Sequence, residues 1–184
     1  MSLIFLRHPS PKVAAGTCYG QTDLDITTQG HAQIERALDT TPKLARIIAS
    51  PALRCRKLAL SLGERDGIEV RFDERLWEMH MGEWEGLAWK EIDRSLTEAW
   101  LKDPVNNPTP GGECFADLQA RVAQAIGELD DGLALETAIV CHAGPIRATQ
   151  MTWHGLTFHE AFSEAPPYAE PLRLLKPGWP EPAV

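Results

Sequence analysis

The amino-acid sequence predicts an α/β fold built on a largely parallel sheet, from three features. Short apolar runs of strand length alternate with segments of helical period. Three of those runs, at 3–6, 44–49 and 137–141, end abruptly in polar residues with a proline close behind. Proline cannot continue a central ladder and restricts the residue before it, so each end marks the carboxyl edge of a buried strand. A chain of 184 residues fits one domain and is long enough to bury a proper core. The expectation is a single domain over 1–184 with a cap-like insertion at about 73–112.

The elements follow in order. Leu3-Ile4-Phe5-Leu6 is the first strand and stops near His8, before Pro9 and Pro11. Residues 9–25 contain two prolines and two glycines, show no helical period, and read as a long loop. Thr27-Thr28 cap a helix over about 29–39 with Ile34, Ala37 and Leu38 on one face. Residues 44–49 form the second strand. Ser50 and Pro51 then suit the cap and first turn of a helix reaching about Leu62. Residues 68–72 alternate and read as a third strand.

Residues 73–112 differ in texture. They hold four of the six tryptophans (Trp77, Trp84, Trp89, Trp100) and a loop, 103–112, with three prolines and two glycines. They read as a small, mostly helical insertion whose tryptophans form its core. An amphipathic helix over about 113–129 places Phe115, Leu118, Val122, Ala125, Ile126 and Leu129 at helical spacing. Residues 137–141 are a strand, Pro145 opens a helix to about Trp153, and 172–175 give a last strand.

Bulk properties exclude several classes. A net charge of −8 argues against nucleic acid or an anionic membrane as the main partner. It also repels an anionic substrate at long range, so phosphate chemistry would need locally clustered arginines. No apolar run approaches the roughly 20 residues of a membrane span. The run 3–6 is too short for a signal-peptide core and lacks a basic stretch before it. The expectation is a cytoplasmic protein whose four scattered cysteines are free thiols.

The chemistry-bearing residues sit at the strand ends: Arg7-His8-Pro9, Ser50-Pro51-Ala52-Leu53-Arg54, and Cys141-His142-Ala143-Gly144-Pro145. In open α/β sheets this edge is where ligands bind. A histidine there can serve as nucleophile, general base or metal ligand, or have no chemical role. If the strands are parallel neighbours, two imidazoles and two guanidiniums converge into a cage suited to a phosphoryl group, because arginine pairs bidentately with phosphate oxygens. His31, His154 and His159 read as surface residues, and the spacing of the last two is a poor metal signature without a third ligand. Cys141 in an apolar strand reads as an inert buried thiol.

The segments LRHP at 6–9, SPALRC at 50–55, LWEMHMGEWEG at 76–86, GGECFADLQARV at 111–122 and VCHAGPIR at 140–147 resemble, in order, the signatures of the histidine phosphatase superfamily, which includes the cofactor-dependent phosphoglycerate mutases. The stretch 16–23, GTCYGQTD, further resembles the α-ribazole phosphatase branch of cobalamin synthesis. The resemblance implies a phosphoglycerate mutase-like three-layer α/β/α sandwich and metal-independent, cofactor-free hydrolysis of a small phosphomonoester, with α-ribazole 5′-phosphate as first candidate. It implies His8 as nucleophile. Arg7, Arg54 and His142 would hold the phosphoryl oxygens, His142 best when protonated. Glu78 would be the general acid, its pKa raised by a Trp-rich setting, with Glu83 the alternative. A homodimer is the family-level expectation.

Two positions depart from the family pattern. Pro9 stands where glycine is common, and Ala14 where an asparagine often contacts phosphate. Backbone N–H groups of the 16–20 loop, with Gly20 and Gln21, are the expected substitute. A mutase, a phosphoprotein phosphatase and a non-catalytic phosphate-binding module are the rival readings. The short proline-rich end favours hydrolysis over a mutase, and the presence of every catalytic residue type counts against a silent module.

Overall fold

The first strand organises the sheet because it is apolar on both faces. In a computed structural model, which describes residues 2–129 and 136–178, β1 (Ser2–Arg7) alternates its side chains between two cores. Leu3 and Phe5 join Ile48, Ile139 and Cys141 on one face. Ile4 and Leu6 join Ile47, Ala49, Ala138 and Val140 on the other. The second and third strands of this set are β2 (Arg46–Ala49) and β4 (Thr137–Cys141), and β3 (Val70–Phe72) and β5 (Pro171–Leu175) complete the sheet.

The strand order is β3-β2-β4-β1-β5, with β5 alone antiparallel. Helices α1 (Thr28–Thr40) and α2 (Leu53–Asp66) cover the Ile4/Leu6 face, while α4 (Phe115–Gly127) and α5 (Ala143–His154) cover the Leu3/Phe5 face. The result is the expected three-layer α/β/α sandwich with a mostly parallel sheet. β1 and β2 flank β4 directly, so their carboxyl ends lie side by side. Backbone bonds from His8 N to Cys141 O (2.9 Å) and from Ser50 N to Val140 O (2.9 Å) carry the alignment one residue past each strand.

The local signals mostly act as the sequence implies. Thr27 caps α1, its Oγ1 accepting from Gly30 N at 3.0 Å. Ser50 does not cap α2. The helix starts at Leu53, and the loop residue Asp23 supplies the cap instead, its Oδ1 accepting from Leu53 N at 2.7 Å. It ends past Leu62, at Gly67, whose left-handed φ of 70° suits glycine. The third strand is shorter than its alternation suggests, because Ile68 N bonds back to Gly63 O at 3.0 Å and closes the helix end instead of joining the ladder.

The 73–112 segment is less helical than expected. It consists of single 3₁₀ turns at Glu74–Leu76, Gly82–Trp84 and Trp89–Glu91 and one short helix, α3 (Arg94–Leu101). Trp84 is its buried centre, with Trp89 and Trp100 packed edge-on at 6.1 and 5.8 Å. Trp77 belongs elsewhere: it packs on the α2 side and lies parallel to the His142 ring at 6.1 Å. A last helix, α6 (Phe158–Phe162), sits against α5. Among the described residues, no helix is long and apolar enough to cross a membrane.

Gly82 locks the insertion shut. Its φ is 57°, and a Cβ there would meet Pro110 O at 2.1 Å and Gly112 N at 2.5 Å. Gly82→Ala is therefore predicted to destabilise the protein by about 3 kcal/mol in denaturant unfolding, from backbone strain plus collision with main chain. A loss below about 0.5 kcal/mol would contradict this packing.

Candidate active site

The converging strand ends place His8, Ser50 and His142 together. The two imidazoles stand 5.2 Å apart between centroids, and both are essentially buried. Pro9 O accepts from His8 Nδ1 at 2.8 Å, which assigns the proton to Nδ1 and leaves the lone pair on Nε2. Pro9, the departure from the family pattern, thus orients the ring through its carbonyl. Ser50 Oγ lies 2.8 Å from His142 Nε2, which explains why it is not a helix cap.

Two arginines border the pair. Arg54, with 0% exposure, donates from Nη1 to Thr22 O and from Nη2 to Gly20 O, both at 2.8 Å. Arg7 donates to Pro166 O at 2.9 Å and Tyr168 OH at 3.1 Å, with its Cζ 3.9 Å from the Tyr168 ring centre. Neither guanidinium has a carboxylate within ion-pair distance among the described residues. The buried Nε of each has no acceptor. Unpaired buried donors cost about 1–3 kcal/mol each, so this is a site shaped for an anion.

These cations set the histidines' charge. Burial, then Arg54 and Arg7, hold His8 well below its ordinary value, against the opposing hydrogen bond to Pro9. Burial, then Arg54 and His8, do the same to His142. The protonated His142 that would best hold phosphoryl oxygens is therefore disfavoured in the free protein, where burial and the arginines favour the neutral form of both rings. Cys141 is an inert thiol as expected, pushed far up by burial, and the four cysteines are free and buried.

Glu78 reaches the site from the insertion. Its carboxylate accepts from Gly144 N at the α5 N-terminus, at 3.1 and 3.2 Å, and from Met79 N at 3.0 Å. Arg121 holds the segment that carries it. Its guanidinium donates to the carbonyls of Arg75, Trp77 and Glu78 at 2.7, 2.7 and 2.9 Å and pairs with Glu113 at 2.6 Å. The 111–122 signature thus works as a clamp on the Glu78 segment. Glu83 is exposed and lies beside Gly111.

Residues 3–171 match the sequence pattern of the histidine phosphatase superfamily (branch 1). The chain belongs to the histidine phosphatase superfamily. Glucosyl-3-phosphoglycerate phosphatase of Mycobacterium tuberculosis is 35% identical over 133 residues, covering 69% of this chain and 59% of that protein. The chain therefore aligns with less than two thirds of that relative's length. The protein of the same name from Mycolicibacterium vanbaalenii is 32% identical over 84% of this chain and 74% of its own. A putative phosphoserine phosphatase 2 of Hydrogenobacter thermophilus is 31% identical over 79% and 75%. Among solved structures, a mycobacterial glucosyl-3-phosphoglycerate phosphatase in complex with inorganic phosphate superposes with a TM-score of 0.81 at 28% identity, covering 95% of this chain and 89% of that one.

Within this superfamily frame, Gly20 and Gln21 have a structural task in the arrangement seen. Gly20 O holds Arg54, while Gln21 N donates to Glu85 at 2.9 Å and Gln21 Nε2 to Glu78 O at 3.2 Å. Glu85 also accepts from Thr22 N and Met81 N, and against the opposing effect of burial these bonds hold its carboxyl low. Of the loop amides expected to replace the missing asparagine, Gln21 N is tied to Glu85, while Thr17 N bonds to Ala14 O at 3.2 Å and Cys18 N to Leu87 O at 2.8 Å; Ala14 is exposed. His31, His154 and His159 are exposed, as expected of surface residues.

Sequence reasoning missed two tyrosines. Tyr168 stands 5.6 Å from the His8 ring and Tyr19 5.5 Å from Arg54 Cζ. Ala169, at φ 54°, holds the Tyr168 segment in a strained turn anchored by Ala169 N to Arg7 O at 2.8 Å. Tyr168 lies in a proline-rich run with no motif, so only the tertiary structure finds it. A cavity of about 220 Å³ is lined by Tyr19, by Arg7, Glu78 and Gly144, and by the aromatic rings of Trp89, Trp100, Phe115, Phe158 and Phe162.

Gly144 is needed for the Glu78 contact, since a Cβ there would lie 2.0 Å from Glu78 Oε1. A crystal structure of Gly144→Ala is predicted to show the Glu78 carboxylate driven off the α5 N-terminus. Thermal stability should change little, because alanine gains about 1 kcal/mol of helix propensity that offsets the crowding. A carboxylate still bonded to the residue-144 amide would contradict the assignment.

Proposed function

We propose that this protein is a metal-independent phosphomonoesterase that works through a phosphohistidine on His8. The observation that carries the reading is the buried imidazole pair, 5.2 Å apart, beside two guanidiniums that have no carboxylate within ion-pair distance among the described residues. His8 Nε2 attacks phosphorus as the ester P–O bond breaks, and Glu78 gives a proton to the leaving oxygen. Water then attacks phosphorus, Glu78 takes its proton, and the N–P bond breaks to release phosphate. Arg7, Arg54 and His142 stabilise the charge on the non-bridging oxygens, and each positioned proton transfer contributes about 10²–10⁴-fold. A bound phosphoryl dianion beside His142 would also favour its protonated form.

The substrate is a small phosphorylated metabolite. Relatives named for glucosyl-3-phosphoglycerate and phosphoserine support that class, and α-ribazole 5′-phosphate remains a candidate on the residues at 16–23 alone. The test is brief exposure to a phosphate donor followed by quench. An acid-labile, base-stable label is predicted on wild type and absent from His8→Ala, with kcat reduced about 10³-fold or more. A label that survives in His8→Ala, or turnover with no label, would overturn the mechanism.

A further inference from the structure

The site's geometry decides where a leaving group goes. Glu78 serves the leaving oxygen, so the alcohol portion of the substrate lies on the Glu78 side, in the aromatic cavity. Phe115 meets Phe158 and Phe162 edge-on at 5.3 and 5.4 Å, and those two rings stack at 4.0 Å. Pockets for drug-sized ligands run to about 300–1,000 Å³. A cavity of about 220 Å³ therefore takes a small leaving group.

One cation other than Arg7 lines this cavity among the described residues. Arg147, on α5, follows His142 by little more than one helical turn, so the β4–α5 junction fixes its position. Its Cζ lies 4.2 Å from the Phe162 ring centre. Nε donates to Ala161 O at 3.1 Å and Nη2 to Glu164 O at 3.2 Å, which leaves Nη1 with its donors in hand. Among the described residues no carboxylate lies within ion-pair distance of it. Glu78 is the one acidic side chain lining the cavity among the described residues, and it is held by the α5 N-terminus. Arg7 and Arg54 answer the phosphoryl charge. Arg147 Nη1 is surplus to it.

We propose that Arg147 is a specificity residue that receives a second anionic group of the substrate, a carboxylate, carried on a flat, largely apolar leaving group. This rests on the phosphomonoesterase reading and deepens it by naming the substrate's chemistry. The apolar walls favour a planar body by stacking and exclude water, and the half-buried guanidinium pairs with a carboxylate more strongly than an exposed one would.

The experiment compares phenyl phosphate with 3-carboxyphenyl phosphate. Wild type is predicted to prefer the carboxylated ester by more than tenfold in kcat/KM, mainly through KM. In Arg147→Met the preference collapses toward unity, and Arg147→Lys restores part of it. If Arg147 only anchors the carbonyls of Ala161 and Glu164, its variants lower both esters alike and the ratio stands unchanged, which overturns the proposal. A wild-type ratio near one overturns it too. Should neither ester be hydrolysed and no His8 label form, the phosphomonoesterase reading fails. Calorimetric binding of 3-hydroxybenzoate against phenol then decides the Arg147 assignment alone: tighter carboxylate binding lost in Arg147→Met supports it, and equal binding overturns it.

Discussion

A fully buried guanidinium without a counterion is the constraint on which this structure depends. Arg54 has no exposure and, among the described residues, no carboxylate within ion-pair distance; its guanidinium donates to the carbonyls of Gly20 and Thr22. Removing a charge from water costs several kcal/mol unless it is paired or well hydrogen-bonded. Those carbonyls must therefore be held still. Glu85 does so by accepting the amides of Gln21 and Thr22, and Gly20 permits it by letting its backbone pass close to Met79 O. Much of the 16–25 loop follows from Arg54. The same cation, with burial, keeps His8 and His142 neutral.

The acidic surplus of the chain does not undo this field. Many of its carboxylates are engaged away from the site: Asp73 and Glu128 with Arg75, Asp25 with Lys57, Glu136 with Arg173. Exposed charges beyond about 8–10 Å are largely screened at physiological salt. A net charge of −8 is thus compatible with a locally positive cage, as the sequence required of any phosphate chemistry here.

What was legible in the sequence was local. Prolines behind apolar runs mark strand ends, so His8, Ser50 and His142 could each be placed at a strand's carboxyl end, and their convergence followed only if those strands proved parallel neighbours. Arg7, Arg54 and Glu78 came with their signatures. What escaped was tertiary. Ser50 looks like a helix cap until His142 is seen beside it, and Asp23 takes that task across a loop. Trp77 looks like insertion core until it lies along His142. Tyr168 has no period or motif to announce it, the strand at 172–175 was legible but its antiparallel direction was not, and the insertion's tryptophans gave no sign that short 3₁₀ turns would suffice where helices were expected.

The central claim is that His8 presents a neutral ring with its lone pair on Nε2, held so by burial and two uncompensated arginines. Nitrogen-15 NMR of the His8 side chain across a pH titration tests it directly. The account predicts the neutral Nδ1–H tautomer at pH 7, persisting as pH falls past the ordinary histidine value of 6.5, because protonation must work against Arg54 and Arg7. An imidazolium at neutral pH, or a proton on Nε2, would contradict it.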